Sequence, residues 1–345
     1  MPRHPPSCGP YRMISWNNGV IRLAKTGNAP RTAPEAIVFR VVPDPTTRAL
    51  KLARGELDLI QGDIPAHLVP FLRRRARIRL VARPSLTFAY IGLNLRKPPL
   101  SDRRVRQALA MAIDRKALIE GLFGGLPVPA ETILPPEHWA GVELPPYPFD
   151  PDAAERLLDE AGYPRRPDGV RFTITYRTST NAERIWLAQA IQAMWRRIGV
   201  RAKIESLEWG AFYARIKRGD FDVFSLAWVG VRDPEIYRWI LHSQMTPPRG
   251  ANRGGFRDPE VDRWLDAARS APTLSARAAL YRRVARRMHE ALVYIPLWRE
   301  PVIAAYRTDR IRRYRPSADG GFWHVLSLEA APSQASASGQ GPGSG

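Results

Sequence analysis

The stretch that decides the fold runs Tyr90-Ile91-Gly92-Leu93-Asn94, then Pro98-Pro99-Leu100-Ser101-Asp102, then Arg104-Val105-Arg106-Gln107-Ala108-Leu109 and Ala112-Ile113-Asp114-Arg115. The apolar run Phe88 to Leu95 predicts a strand, and the Pro pair after it predicts a turn. Ser101 or Asp102 can cap a helix, and Val105, Leu109, Ala112, Ile113, Leu118 and Ile119 share one helical face, which predicts one long helix. A strand that turns directly into an amphipathic helix is the building unit of an α/β protein.

The alternation continues in both directions. Towards the amino terminus, Tyr11 to Trp16 and Val20 to Leu23 flank an Asn-Gly turn, and Ala36 to Val42 is an apolar, β-branched strand. Asp44-Pro45 opens a helix that Gly55 closes. Leu57 to Ile60 reads as a strand and His67 to Arg75 as a short helix. Towards the carboxyl terminus, 121–148 is a Pro- and Gly-rich loop, and Asp150-Pro151 opens a helix to Ala161. Strands are predicted at Arg171 to Tyr176, Arg201 to Leu207, Val223 to Trp228, Ile295 to Trp298 and Val302 to Tyr306. Helices are predicted at Ala182 to Ile198, Tyr213 to Arg218, Pro259 to Ala268 and Leu274 to Leu292. No repeat is visible. The end of the chain, from 329 and most clearly from Ala331, is Ser, Gly, Ala, Gln and Pro, the composition of a disordered tail.

Composition excludes several function classes. A hydrophobic fraction of 44% with 10 Trp, 11 Tyr and 11 Phe provides for a folded core. No run approaches the roughly 20 apolar residues of a bilayer span. Met1 to Tyr11 has no apolar run after its basic residues, so no secretory signal is expected there. The net charge of +20 invites a nucleic-acid reading. Only six of the 53 basic residues are Lys, however, and the Arg are scattered. The runs Arg73-Arg74-Arg75 and Arg312-Arg313 are short and carry no interleaved aromatics, so solvated faces are expected and no nucleic-acid partner. Cys8 stands alone, which leaves no disulfide framework. The six His lack metal-ligand spacing, and no nucleophile elbow or phosphate loop occurs. Asp220 and Asp222 straddle a strand entry, where holding a turn is their expected work. No catalytic residue, metal or cofactor is therefore expected, and the chain is not read as an enzyme.

The opening stretch closely resembles the signature of the family-5 extracellular solute-binding proteins, which include dipeptide, oligopeptide and nickel binders. Further segments match in the family's order. They are Gly9-Pro10-Tyr11 with Trp16, Asp44 to Arg48 with Gly55-Glu56 and Asp58, and Tyr147 to Pro164. Beyond these come Ile198-Gly199-Val200, Glu208-Trp209, Gly219 to Asp222, Asn252, Pro259 to Asp262 and Ile295-Pro296-Leu297. The resemblance covers residues 9 to 325. Family members are longer at the amino terminus, so it implies that this chain begins within the first lobe.

The resemblance implies an α/β, type II periplasmic-binding-protein-like fold of two lobes joined by a hinge, the first lobe incomplete. Residues 1–92 plus 302–328 would form the partial first lobe, 93–301 the second and 329–345 the tail, with Asn94 and Trp298 at the hinge. A solute would bind in the inter-lobe cleft of a monomer that serves the membrane subunits of an ABC importer, outside the cytoplasm. Without a leader, the chain as written would stay in the cytoplasm.

Trp209 and Trp228 are the main binding candidates, because a flat indole buries much ligand area with little loss of rotamer freedom; two core aromatics at strand ends is the other reading. In the family's peptide binders an Asp three positions after the second Trp pairs with the peptide ammonium. Val231 stands there instead, which puts ordinary peptides in doubt. Arg232 could meet an anionic group, whereas Asp233 before Pro234 is placed to cap a helix. Asn252, Arg253 and Phe256 occupy a Gly-rich loop open to ligand or to solvent. The alternatives are a cytoplasmic ligand-sensing or nucleic-acid-associated protein using the same domain, or a fragment without function alone.

Overall fold

Local sequence signals set most element boundaries. In the computed structural model, which describes residues 9–62 and 64–330, the chain divides into two units. Of the described residues, the smaller comprises those up to Ser85 and from Pro301 onward, and the larger Leu86–Glu300. Cys8 and the tail from 331 lie outside the described residues.

In the smaller unit, β1 (Tyr11–Asn17), β2 (Val20–Lys25) and β3 (Ala36–Arg40) form an antiparallel meander turned at Asn18 and Gly19. Helix α1 (Pro45–Arg54) starts where the Asp44 carboxylate accepts the Thr47 N–H at 2.6 Å and stops at Gly55, whose φ of +81° favours glycine. Strand β4 (Leu59–Gln61), helix α2 (Val69–Arg73) and strand β5 (Ile78–Leu93) follow. Strand β5 begins ten residues before the expected Phe88, because Arg79 and Arg83 interrupt the apolar pattern without interrupting the backbone ladder.

Strand β5 runs on into the larger unit. The single helix expected after it is two: α3 (Arg103–Met111) and α4 (Arg115–Phe123). Asp114 is responsible, since its carboxylate caps a fresh helix by accepting the Ala117 N–H at 2.9 Å. A short β6 (Val128–Pro129) lies in the Pro-rich loop, followed by α5 (Pro151–Glu160). Next come β7 (Phe172–Ser179), α6 (Ala182–Arg197), β8 (Val200–Leu207), α7 (Trp209–Lys217) and β9 (Val223–Trp228). Helix α7 starts four residues earlier than expected, because Glu208 caps it. Helices α8 (Ile236–Leu241), α9 (Pro259–Ser270) and α10 (Leu274–Glu290) lead to β10 (Tyr294–Arg307). Strand β10 replaces the two short strands expected there. The gap left between them, residues 299–301, is continuous strand, and Arg299 within it is buried and donates to the Ile133 and Thr132 carbonyls, so polarity there does not mark a turn. Back in the smaller unit, β11 (Ile311–Arg313) pairs with β12 (Glu329–Ala330), so residues 329 and 330, expected in the tail, are strand.

The sheet of the larger unit carries two cores. Successive β5 side chains alternate: Ala89, Ile91 and Leu93 pack with α3 to α6, while Phe88 and Tyr90 pack with α7 to α10. Two residues of the opening motif acquire reasons. A Cβ on Gly92 would lie 2.2 Å from the Phe224 ring, so only glycine lets that ring lie against the strand. Asn94 is buried and donates to the Phe221 and Gly219 carbonyls at 2.9 and 3.3 Å, fastening the turn before β9.

The chain passes between the units at Ser85/Leu86 and Glu300/Pro301. This differs from the expected 92/93 and 301/302 for the same reason that Asn94 is buried: residues 88–93 are paired to β9 throughout. Asn94 and Trp298 are thus interior to the larger unit, and Trp298 is a core residue against Phe123. Neither is placed at a crossing.

Candidate functional site

Strand β7 is parallel to both β8 and β9, so all three present their carboxyl ends at one edge of the sheet. Strand β9 is in turn antiparallel to β5. Ligands of open α/β sheets gather outside such carboxyl ends. Here that edge carries Ser179, then the first turn of α6; Leu207, then Trp209 at the first turn of α7; and Trp228.

Around it the rings form a continuous ladder within the larger unit. Trp209 is 49% exposed and stacks on Tyr213, with centroids 5.8 Å apart and planes at 11°. The Arg253 guanidinium lies between Tyr213 and Trp228, at 5.2 and 5.0 Å from their ring centres. Trp228 stacks on Tyr90 at 5.9 Å and 9°, and Tyr90 on Tyr294 at 4.1 Å. A second guanidinium, Arg184 of α6, sits 5.7 Å over Trp209. Trp209 and Trp228 are therefore joined by contact through Tyr213 and Arg253. The ladder is open at one end and buried at the other, because Tyr213 and Trp228 are half-buried and Tyr90 fully buried.

Electrostatically the ladder is cationic. Arg253 is 7% exposed and donates to the Tyr90 hydroxyl at 3.3 Å and the Tyr213 hydroxyl at 3.0 Å. Burial pushes the Tyr90 phenol well above its ordinary range and the Tyr294 phenol up to about 12, so both are neutral at physiological pH. Glu208, the nearest acid in sequence, spends its carboxylate on the Gly210 and Ala211 N–H groups of α7.

The remaining expected site residues are placed as follows. The Val231 side chain is buried in the core and its N–H bonds to the Leu86 carbonyl. Arg232 is exposed, and its carbonyl meets the His138 ring. Asp233 accepts the Glu235 N–H at 2.8 Å in the turn before α8, but it does not cap that helix, whose N-cap residue is Glu235 with no side-chain bond. Asn252 is 2% exposed and turned into its own loop. Its amide donates to the Phe256, His242 and Leu241 carbonyls, and its oxygen accepts the Phe256 N–H at 2.9 Å. Asn252 thus holds the loop that carries Arg253, with both polar atoms of its side chain engaged by backbone groups. Tyr90, Tyr213 and Tyr294 were not singled out from sequence. Tyr90 was read as part of a strand and of the family motif, with no site role, and the one-turn spacing of Tyr213 from Trp209 is the signal that was available for it. Among the described residues no cluster of three metal-ligating side chains occurs, and no helix is long and apolar enough to cross a membrane.

Comparison with known proteins bears on the family and the fold. The model of the family described as bacterial extracellular solute-binding proteins, family 5 Middle, matches residues 1–246. A dipeptide-binding protein of Escherichia coli is 28% identical over 292 residues, which is 83% of this chain and 54% of that protein. A heme-binding protein A of Haemophilus influenzae is 35% identical over 201 residues, 58% of this chain and 37% of that one. The chain thus spans about half the length, or less, of these curated relatives. The crystal structure of NikA from Brucella suis in complex with Fe(III)-EDTA matches with a TM-score of 0.83 at 27% identity, covering 94% of this chain and 68% of that one. The mixed α/β architecture is that of the periplasmic binding proteins, and the chain belongs to the family-5 bacterial extracellular solute-binding proteins.

Proposed function

We propose that this chain is the solute-binding component of an ABC importer, working outside the cytoplasm and binding rather than transforming its solute. The observation that supports this reading most directly is the ladder Trp209-Tyr213-Arg253-Trp228-Tyr90 at the carboxyl edge of β7, β8 and β9. Rings that are half open on a rigid sheet edge offer flat apolar area to a guest and lose little side-chain freedom when they take it. The relatives bind chemically different solutes, and Val231 supplies an apolar side chain where the peptide binders carry an ammonium-pairing acid. A peptide held by its amino terminus is accordingly not the proposed guest.

Trp228 is the residue to test. Covering one face of its indole removes on the order of 80 Å² of apolar surface from water, worth about 2 kcal/mol or roughly thirtyfold in affinity. Isothermal titration of the chain with dipeptides, heme and Fe(III)-EDTA should identify at least one solute whose binding falls by that factor in Trp228→Ala. Trp239→Ala, which removes an exposed indole on α8 outside the ladder, should bind normally. Equal loss in both variants, or none in either, would remove the ladder from solute binding.

A further inference from the structure

Three guanidinium groups of the larger unit are buried with no carboxylate in ion-pair contact among the described residues: Arg106, Arg253 and Arg299. Arg106 donates to four backbone carbonyls and Arg299 to two. A carbonyl is acceptor only, so it serves a cation well. Arg253 is held differently. Its protein acceptors are two phenol hydroxyl oxygens, and two of its five N–H groups are engaged with them. The Tyr213 and Trp228 rings lie about 5 Å from its central carbon, which favours the charge without answering its in-plane donors. A planar fork braced between rings, with donors to spare and no counter-charge, is arranged to receive a carboxylate in bidentate fashion.

The fork is also fixed in place. The Asn252 side chain clips the backbone at Phe256, the Leu95 N–H bonds the Gly254 carbonyl at 2.9 Å, and Arg96 reaches the Arg253 carbonyl at 3.4 Å. A Cβ on Gly254 would lie 2.4 Å from the Leu93 carbonyl oxygen, so the loop is pressed directly against β5. The charge that the fold positions this firmly stands beside Trp228, next to the open end of the ladder.

We infer that Arg253 is the receptor for a carboxylate carried by the solute, whose flat apolar part rests on Trp228 and Trp209. This rests on the solute-binding reading above and names the chemical class of the guest: a planar or aromatic carboxylic acid. Arg184, over Trp209, makes the outer end cationic as well and draws the same sign of charge.

The test needs only matched probes, 2-naphthoate and 2-naphthamide, titrated calorimetrically into the chain. The acid should bind about ten- to a hundredfold more tightly than the amide, the range of a hydrogen bond to a charged group. The preference should vanish in Arg253→Met and survive in part in Arg253→Lys, which keeps the charge without the fork. Equal binding of acid and amide by the unaltered chain overturns the inference, whatever the variants do. If both probes then still weaken in Trp228→Ala, aromatic solute binding stands without an anion receptor. An acid preference that persists in Arg253→Met assigns the anion to another cation and also overturns it. Failure of both probes to bind overturns it too, and leaves solute binding to the Trp228 test.

Discussion

Replacing Arg106 by Met tests whether the motif that opens the larger unit is structural or surface decoration. The guanidinium donates to Leu100 and Ser101, just before α3, at 2.8 and 3.0 Å. It also donates to Ala291 at 2.6 and 3.1 Å and to Leu292 at 3.2 Å, just after α10. One cation thus satisfies four carbonyls from two chain segments, the farther of them beginning 185 residues along from Arg106 itself. Burial lowers its pKa to about 10, so it remains charged at neutral pH. Each carbonyl left without a donor costs on the order of 1 kcal/mol, and the Met side chain returns about 1 kcal/mol of apolar burial. The net loss should be about 3 kcal/mol. Urea unfolding followed by circular dichroism measures it, and hydrogen exchange over α3 and α10 localises it. Arg106→Lys should fall between, because one ammonium cannot span both pairs. A loss under about 1 kcal/mol, or protection in α3 and α10 equal to that of the unaltered chain, would refute the reasoning.

Three further outcomes are expected. Tyr294 has its folded pKa raised from 10 to about 12 by burial, so stability is complete below pH 10 and is lost as pH rises from 10 to about 12; Tyr294→Phe should move the alkaline unfolding midpoint upward, and an unchanged midpoint would show that this phenol is not buried. Asn252→Asp turns an amide that faces three carbonyls into an acceptor and should cost about 3 kcal/mol in thermal or urea unfolding, while an affinity loss without a stability loss would return Asn252 to the solute. Gly254→Ala should lower stability by more than about 1 kcal/mol and expose the Leu95 amide to exchange, since its Cβ has no room beside Leu93.

How far the sequence foretells this structure depends on how local the cause is. Asp44, Asp102 and Asp150 each cap a helix by accepting an N–H two or three residues on, so those starts were legible. Asp114 obeys the same rule, and the apolar stripe continuing past it concealed the break. The lengths of β5 and β10 were not legible, because Arg79, Arg83 and Arg299 look like surface and the acceptors of Arg299 lie 166 and 167 positions away. The site divides in the same way. Trp209 and Trp228 were candidates through family resemblance, whereas the role proposed for Arg253 depends on Tyr90 and Tyr213, which lie 163 and 40 positions distant. No pattern within a loop announces partners that far off.

The clipped loop at residues 252–256 has a kinetic consequence. A long, rotamer-rich side chain normally surrenders its freedom at the moment it grips a guest, and that loss is subtracted from the grip. Here the freedom was surrendered when the polypeptide folded, since the loop backbone is tied at Leu95, Arg96 and Phe256 and the guanidinium is braced by two rings. Loosening the ties while keeping the arginine should therefore leave the encounter rate nearly unchanged and shorten the time a captured molecule stays.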